Sequence, residues 1–184
     1  MHIVVAITGA SGIAYGVRLL EALKTSNCET SLVLSEDGAK VLKLETDKRP
    51  QDLKKLATRS YTNGDMAAPI ASGSRGFDAM VICPCSMSTA AKVACGISDN
   101  LITRAASVAL KEKRKLVFVP RETPMSSIHL RNLATLAEAG AVVLPAAPAF
   151  YGKTEKVEDL VDFIVGRVLD SLGVENKLYR RWAE

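Results

Sequence analysis

Four short segments of the sequence carry side chains that could do chemistry, and each follows a run of apolar residues. The segments are TGASG at 8–12, PCSMST at 84–89, PRETPMSS at 120–127 and PAAPAFY at 145–151. They hold hydroxyls, glycines, a cation beside a carboxylate, and a tyrosine. If the apolar runs are parallel strands, the segments meet at the carboxyl edge of one sheet, where open α/β sheets bind ligands. The sequence therefore predicts one crevice lined by these segments.

The Gly-rich turn TGASGIAYG at 8–16 joins the first apolar run to a helical pattern. Its amides and the Ser11 hydroxyl would face an anion at a helix N-terminus, where the macrodipole also favours negative charge. The glycines fall at positions 9, 12 and 16, which is not the GxGxxG spacing of dinucleotide sites. This spacing weakens the case for a nicotinamide cofactor. No tyrosine has a lysine four positions later, which removes the short-chain dehydrogenase mechanism, the cleanest oxidoreductase reading. A tight turn that binds no ligand stays the alternative.

Two other segments offer polar groups directly after a predicted strand. Ser86, Ser88 and Thr89 begin a predicted helix and could bind a phosphate or the polar edge of a ligand, unless Ser86 is only an N-cap. Arg121 and Glu122 would project into the crevice together, where such a pair could hold an anion and move a proton. A surface ion pair is the alternative for these two residues.

The remaining charged candidates are less specific. Arg104 and Lys111 are seven residues apart on one predicted helix, a spacing that is also typical of a solvated stripe. Arg167 lies among apolar residues, which suggests an anion partner or a side chain that snorkels to water. His2 and His129 lack the company of metal ligands or of a catalytic triad, so both are predicted to be structural.

Strands and helices alternate along the whole chain, which predicts a parallel sheet covered on both faces. The predicted strands are 3–7, 29–34, 79–83, 116–119 and 141–144. The predicted helices are 12–24, 36–44, 53–57, 86–95, 99–113, 126–139 and 157–172, with Ser35, Ser86 and Ser98 as N-caps and Gly173 as a C-cap. The small-residue segment at 66–76 is too long for a simple connector and is predicted to be functional.

Composition narrows the class of protein. The 184 residues suit one domain, and 24 basic against 20 acidic residues with few aromatics argue against a nucleic-acid surface. The longest nearly apolar stretch, at 139–151, is too short to span a bilayer, and no leader segment is evident, so a cytoplasmic protein is expected. The four cysteines lack metal-site spacing and are expected to be reduced, mostly buried thiols, with Cys85 as the possible exception.

Taken together, the motifs resemble the UbiX-type flavin prenyltransferases of the flavoprotein superfamily. The matching segments are TGASGxxYGxRLL, LETD, ASGS, VICPCS, LITRAAxVALKEKRxLVxVPRETP, SSIHL, LPAAPAFY and VEDLVDFIVxRVLDxLG. They run from Ile3 to about Trp182, and VPRETP and PAAPAFY are far more specific than the Gly-rich turn.

The resemblance implies a single three-layer α/β/α domain with a parallel, Rossmann-like or flavodoxin-like sheet over 1–184, ending in a tail from about 174. Members of this group assemble as dodecamers. They transfer a dimethylallyl group from dimethylallyl phosphate to reduced FMN without a metal, and a UbiD-type decarboxylase uses the prenylated FMN.

The resemblance also implies roles for individual residues. Tyr151 and Arg167, assisted by Lys111, would hold the phosphate of the allyl donor, and the catalytic Glu122 and Glu45 would lie near the reacting flavin edge. The segment MAAPIASGS at 66–74 would form the apolar pocket. The implied FMN-binding residues are Gly9, Ala10, Ser11, Ser35, Ser86, Met87, Ser88, Thr89, Arg121 and, across a subunit boundary, Arg104.

Two other functions stay open at this point. An FMN-dependent decarboxylase of the phosphopantothenoylcysteine decarboxylase type would share the fold, but such enzymes carry a PASANT-like segment in place of PCSMST and use a histidine that neither His2 nor His129 obviously supplies. A flavin carrier without catalysis is the other alternative. The sequence does not distinguish an allyl monophosphate from a diphosphate.

Overall fold

A computed structural model of the chain, which describes residues 1–151 and 154–182, has the predicted three layers, with a parallel sheet between two layers of helices. The sheet has the order β3-β2-β1-β4-β5-β6. Its strands are β1 (His2–Ile7), β2 (Glu29–Leu34), β3 (Arg59–Thr62), β4 (Ala79–Cys85), β5 (Lys115–Pro120) and β6 (Val142–Val143).

Helices cover both faces of this sheet. They are α1 (Ile13–Thr25), α2 (Glu36–Glu45), α3 (Pro50–Lys54), α4 (Met87–Ala94), α5 (Leu101–Lys111), α6 (Ser127–Glu138) and α7 (Val157–Leu172). Along β1, Ile3, Val5 and Ile7 pack into the core that holds α1 and α7, whereas Val4 and Ala6 pack into the core that holds α4, α5 and α6. This alternation explains why the central strand is apolar throughout. Within the described residues, no helix is long and apolar enough to cross a bilayer.

The strand order reverses at β1, because the chain first moves outward through β2 and β3 and then returns to place β4 on the other side of β1. A buried threonine ties the two strand ends at this point. The Thr8 hydroxyl donates to the Pro84 carbonyl at 2.9 Å and accepts from the Ser86 amide at 2.8 Å. Ligands of open α/β sheets bind at such a switch point. The predicted crevice therefore begins between the ends of β1 and β4.

Several predicted element boundaries are confirmed. The Ser35 hydroxyl accepts from the Gly38 amide and the Ser86 hydroxyl from the Thr89 amide, so both serines cap their helices. Gly173 ends α7 with φ at 79°, a left-handed conformation that favours glycine.

Other boundaries were predicted wrongly. Asn100, and not Ser98, caps α5, because its side chain accepts from the Thr103 amide. The short helix α3 begins at Pro50, three residues before the predicted start, since proline suits the first helical turn. The strand β3 was missed, and β6 has two residues where 141–144 was predicted. The segment at 66–76 contains a 3₁₀ turn at Pro69–Ala71.

Candidate active site

A cavity of about 390 Å³ opens at the carboxyl ends of β1, β2, β3 and β4. Hydroxyls, amides and charged groups line it, so its walls suit a polar ligand. The lining residues are Thr8, Gly9, Ser35, Glu36, Asp37, Asn63, Gly64, Ser86, Ser88, Thr89, Lys92 and Asn100. Five of the residues named for FMN therefore share one cavity, namely Gly9, Ser35, Ser86, Ser88 and Thr89.

A connected group of hydroxyls occupies the start of α4. The Ser86 oxygen lies 3.2 Å from the Ser88 oxygen and 3.0 Å from the Thr89 oxygen. Hydroxyls can rotate to donate or to accept, so this group can turn donors toward an anion at the positive end of the helix. Met87 differs from its neighbours, because its side chain is buried in the core. Only the main chain of Met87 is available to a ligand.

Gly9 brings the backbone of the β1 end close to α2. A Cβ at this position would lie 2.5 Å from the Asp37 Cβ, well inside van der Waals contact. The neighbouring Ala10 is buried at 6% exposure, so its methyl group packs against protein. The Gly-rich turn therefore presents Gly9 to the cavity and turns Ala10 away from solvent.

The rest of the Gly-rich turn holds a carboxylate of the protein itself. Glu45, at the end of α2, accepts from the Gly12 amide at 2.9 Å and from the Ile13 amide at 2.9 Å. Burial raises the pKa of the Glu45 carboxyl, but hydrogen bonds from the Ser11 hydroxyl and these amides, with the charge of Arg121, outweigh that effect and lower it. Glu45 therefore occupies the Gly12 and Ile13 amides, and for the rest of the turn the anion site stays a prediction.

Arg121 and Glu122 follow β5 as predicted, and each interacts with a different neighbour. The Arg121 charge acts on Glu45 and on the half-buried Tyr15, whereas Glu122 accepts from the Thr123 amide at 3.0 Å. Burial raises the pKa of the Tyr15 phenol, and Arg121 opposes that rise. The end of β5 thus contributes a cation beside Glu45 and an exposed carboxylate next to it.

Tyr151 and Arg167 meet in a second cluster outside the cavity. Tyr151 lies within electrostatic range of the Arg167 guanidinium, which donates to the Tyr179 hydroxyl at 3.3 Å and pairs with Asp170 at 3.5 Å. Tyr151 also packs edge-to-face on Trp182, with ring centroids 5.0 Å apart. The tail after α7 therefore covers the two residues predicted to hold the allyl phosphate.

A backbone hydrogen bond joins the segment that leads to Tyr151 to the end of β5. The Ala146 amide donates to the Pro120 carbonyl at 3.0 Å, so the segment that leads to Tyr151 runs beside the one that leads to Arg121. A cavity of about 240 Å³ lies against Tyr151, Phe163 and Tyr179. Its lining combines these aromatic rings with charged side chains of both signs, namely Glu155, Asp159 and Arg180.

Two predicted site residues lie elsewhere in the chain. The Arg104 Nε atom donates to the Ala71 carbonyl at 2.9 Å, which joins α5 to the 3₁₀ turn. Lys111 ends α5, at the edge of the sheet where β5 begins, and its ammonium lies 3.4 Å from the Glu112 carboxylate. Because α5 and α7 pack on opposite faces of the sheet, one chain does not bring Lys111 to Arg167.

Both histidines make hydrogen bonds within the fold, which is consistent with the predicted structural role. His2 bonds to the Ser31 hydroxyl at 2.8 Å at the amino edge of the sheet, and His129 caps α6 by accepting from the Ser126 amide. Cys83 and Cys85 are fully buried, and burial raises the pKa of both thiols. Cys95 is exposed, so the expectation of mostly buried thiols holds for the β4 pair only.

Sequence reasoning did not name seven of the twelve residues that line the cavity. Asn63 follows the missed strand β3. Its carbonyl accepts from the Leu101 amide at 2.8 Å and its side-chain oxygen from the Ile102 amide at 3.1 Å, which ties the end of β3 to the start of α5. Lys92 is one turn beyond Ser88 on α4, a spacing that would have indicated a shared face. Thr8 was quoted only as part of the Gly-rich turn, although a hydroxyl directly after a buried strand was the available signal.

The comparisons agree with the motifs. The sequence profile of the Flavoprotein family matches residues 1–169. The flavin prenyltransferase UbiX of Methanocaldococcus jannaschii is 51% identical over 99% of this chain and 98% of its own length. The mitochondrial flavin prenyltransferase PAD1 of Saccharomyces cerevisiae is 49% identical over 98% of this chain and 75% of its own length.

Two solved structures match this chain over its whole length. AnUbiX (PadA1) in complex with FMN and dimethylallyl pyrophosphate has a TM-score of 0.98 at 47% identity, over 100% of this chain and 97% of that chain. A dodecameric FMN-dependent UbiX-like decarboxylase from Escherichia coli O157:H7 has a TM-score of 0.98 at 46% identity, over all of both chains. The chain therefore belongs to the Flavoprotein family and, within it, to the UbiX-type flavin prenyltransferases that its motifs resemble.

Proposed function

We propose that this chain is a flavin prenyltransferase that joins the dimethylallyl group of dimethylallyl phosphate to reduced FMN. The observation that carries the proposal is the whole-chain similarity to a structure that holds FMN and dimethylallyl pyrophosphate. It is supported by a hydroxyl-lined cavity and, outside that cavity, by a cluster of Tyr151 with Arg167 in this chain. The product would be prenylated FMN, together with the phosphate that leaves.

The residues of the cavity fit a flavin nucleotide. Its volume of about 390 Å³ lies within the usual range for cofactor sites, about 300–1,000 Å³. The hydroxyls of Ser86, Ser88 and Thr89 suit a phosphate, and Gly9 lines the cavity beside them. Reduced FMN would supply the electron-rich ring that captures the allyl carbon.

Tyr151 and Arg167 would bind the phosphate of the allyl donor. The carbon–oxygen bond breaks as negative charge grows on this phosphate, and a fixed guanidinium and phenol stabilise that charge without reorganisation. This assigns to side chains the role that a metal ion often plays on a phosphate leaving group. Lys111 would assist only from another copy, because α5 and α7 lie on opposite faces of the sheet in one chain.

Two carboxylates would act at the reacting edge of the ring. Glu45 is held as an anion by the α1 amides, so it can stabilise the positive charge of the allyl fragment as that fragment leaves. Glu122 is exposed, and it would move the proton that ring closure requires, with the released phosphate as the alternative base. The apolar segment at 66–74 would keep water from the allyl fragment.

The proposal extends to assembly and to the fate of the product. A dodecamer is proposed because the similar Escherichia coli structure is dodecameric, and Arg104 would then reach the FMN phosphate of a neighbouring copy. A UbiD-type decarboxylase would use the prenylated FMN. The cytoplasmic location expected from the sequence stays a prediction.

A flavin-dependent decarboxylase is the second candidate, because one similar structure is described as an FMN-dependent decarboxylase. The histidines argue against it. His2 lies at the amino edge of the sheet, and the Nδ1 atom of His129 is used in the cap of α6. A decarboxylase that needs a histidine next to the flavin would not find one among the described residues that line this cavity.

The test combines the purified protein with reduced FMN and either dimethylallyl phosphate or dimethylallyl diphosphate, without oxygen. Mass spectrometry of the flavin should show the gain of one five-carbon unit, together with a changed absorption spectrum. The donor that gives the faster gain identifies the phosphate form. A flavin that binds tightly but keeps its mass with both donors would favour the carrier, and release of carbon dioxide from a carboxylic acid substrate would favour the decarboxylase.

A further inference from the structure

The cavity at the strand ends is electrostatically divided. Glu36 and Asp37 line it at the start of α2, whereas Lys92 lines it from α4. Among its described lining residues, Lys92 is the one cation. A bound molecule with one anionic end therefore has a preferred orientation, with that end toward α4 and away from α2.

Lys92 continues the hydroxyl surface at the start of α4. It lies four residues after Ser88 and three after Thr89, so the three side chains share one helix face. Its ammonium is 2.5 Å from the Asp99 carboxylate, and both side chains are partly exposed, at 40% and 47%. An exposed pair of this kind contributes little stability, so the ammonium can exchange Asp99 for a doubly charged phosphate at small cost.

Asp99 is held in place independently of Lys92. Its second carboxylate oxygen accepts from the Asn100 amide group at 2.8 Å and from the Thr103 hydroxyl at 3.4 Å. Asp99 would therefore stay anchored at the start of α5 when the lysine leaves it. The lysine, on its flexible stem, is the partner that moves.

We infer that Lys92 binds the phosphate of FMN and gives this cavity its preference for FMN over riboflavin, with Asp99 competing for the same ammonium. The inference rests on the proposed function, because it takes FMN as the ligand of the cavity. Lys92 is a binding residue in this role and takes no part in the transfer of the allyl group.

The test measures dissociation constants of FMN and of riboflavin, which lacks the phosphate, by quenching of flavin fluorescence with the full chain. The quantity of interest is the ratio of the two dissociation constants, because a change in cavity shape alters the affinity for both ligands alike. Lys92→Met keeps the apolar stem and should reduce the preference for FMN about tenfold, the value of one lost charge-assisted contact. Lys92→Arg should keep most of the preference.

Two further variants separate binding from structure. Asp99→Asn should leave the preference for FMN unchanged or increase it, because it releases the lysine. Lys55→Ala removes a lysine of the same charge that pairs with Asp52 at 3.6 Å, at the opposite edge of the sheet, and it should leave both constants unchanged.

Each outcome has a defined meaning. A wild-type preference for FMN that Lys92→Met loses and Asp99→Asn keeps supports the inference. An unchanged ratio in Lys92→Met, equal losses for both flavins, or equal effects of Lys92→Met and Asp99→Asn would overturn it. If the wild-type protein binds neither flavin, the proposed function fails first, and that result is distinct from any pattern among the variants.

Discussion

The Glu45 carboxylate, at the end of α2, binds the first amides of α1 and allows a quantitative test. It accepts from the Gly12 and Ile13 amides and from the Ser11 hydroxyl, so Glu45→Gln replaces charge-assisted hydrogen bonds with neutral ones. Such bonds contribute about 1.5–3 kcal/mol each when charged and about 0.5–1.5 kcal/mol when neutral. Because Glu45 is solvent-exposed, we discount the difference and expect the free energy of unfolding to fall by about 1 kcal/mol at pH 7.

The effect should depend on pH with a defined sign. The folded pKa of Glu45 is lowered, so the carboxylate contributes its full stability above the ordinary glutamate pKa of about 4.3 and loses it as the pH falls through the folded pKa. A protonated glutamate resembles glutamine. The stability gap between the wild type and Glu45→Gln should therefore close as the pH is lowered from 7 toward about 3.

The assay is urea unfolding followed by circular dichroism, at fixed protein concentration and at several pH values. Glu158→Gln is the matched control, since Glu158 lies in the first turn of α7 but accepts no hydrogen bond from the described residues. The free energy of unfolding of this control should fall by at most about 0.5 kcal/mol, because only the interaction of its charge with the helix macrodipole is lost. The reasoning would be refuted if the wild type and Glu45→Gln had the same free energy of unfolding at pH 7. It would also be refuted if their difference were as large at pH 3 as at pH 7.

Three further predictions concern the two ligands. Glu122→Gln should keep FMN affinity, measured by fluorescence quenching, and should slow formation of prenylated FMN about a hundredfold, the lower end for a general base. Wild-type turnover would remove Glu122 from the mechanism. Arg167→Ala should raise the Michaelis constant for the allyl phosphate and leave FMN affinity nearly unchanged, whereas a large loss of FMN binding would show that its role is misassigned. Gly9→Ala should lower the free energy of unfolding, measured with urea, by about 1–3 kcal/mol and should weaken FMN binding, since the new Cβ would lie 2.5 Å from the Asp37 Cβ. A fully stable variant that binds FMN normally would contradict this packing argument.

The fold could be predicted from the sequence where burial dictates composition. Strands such as β1 and β4 are buried on both faces and read as continuous apolar runs. The edge strand β3 has the sequence RSYT and is mostly exposed, so no hydrophobic pattern marks it. Its absence from the prediction also removed Asn63 from the expected cavity wall.

The site could be predicted only in part, because a sequence shows positions and not partners. The four strand ends indicated the crevice, and the hydroxyls at 86–89 do line a cavity. The pairing of Glu45 with the Gly12 amide spans 33 positions and depends on how α2 packs beside α1. Likewise, the helix spacing of Arg104 and Lys111 could not show that they lie far from Arg167.

The Gly-rich turn after β1 is used mainly by the protein itself. Thr8 ties two strands, Gly12 adopts a φ of 96° while its amide holds Glu45, and Gly16 leaves room for the Cys83 carbonyl, which a Cβ would approach to 2.4 Å. Of its residues, Thr8 and Gly9 line the cavity. A database search built on this turn would therefore retrieve proteins that join a strand to a helix in the same way, whatever small molecule each of them binds.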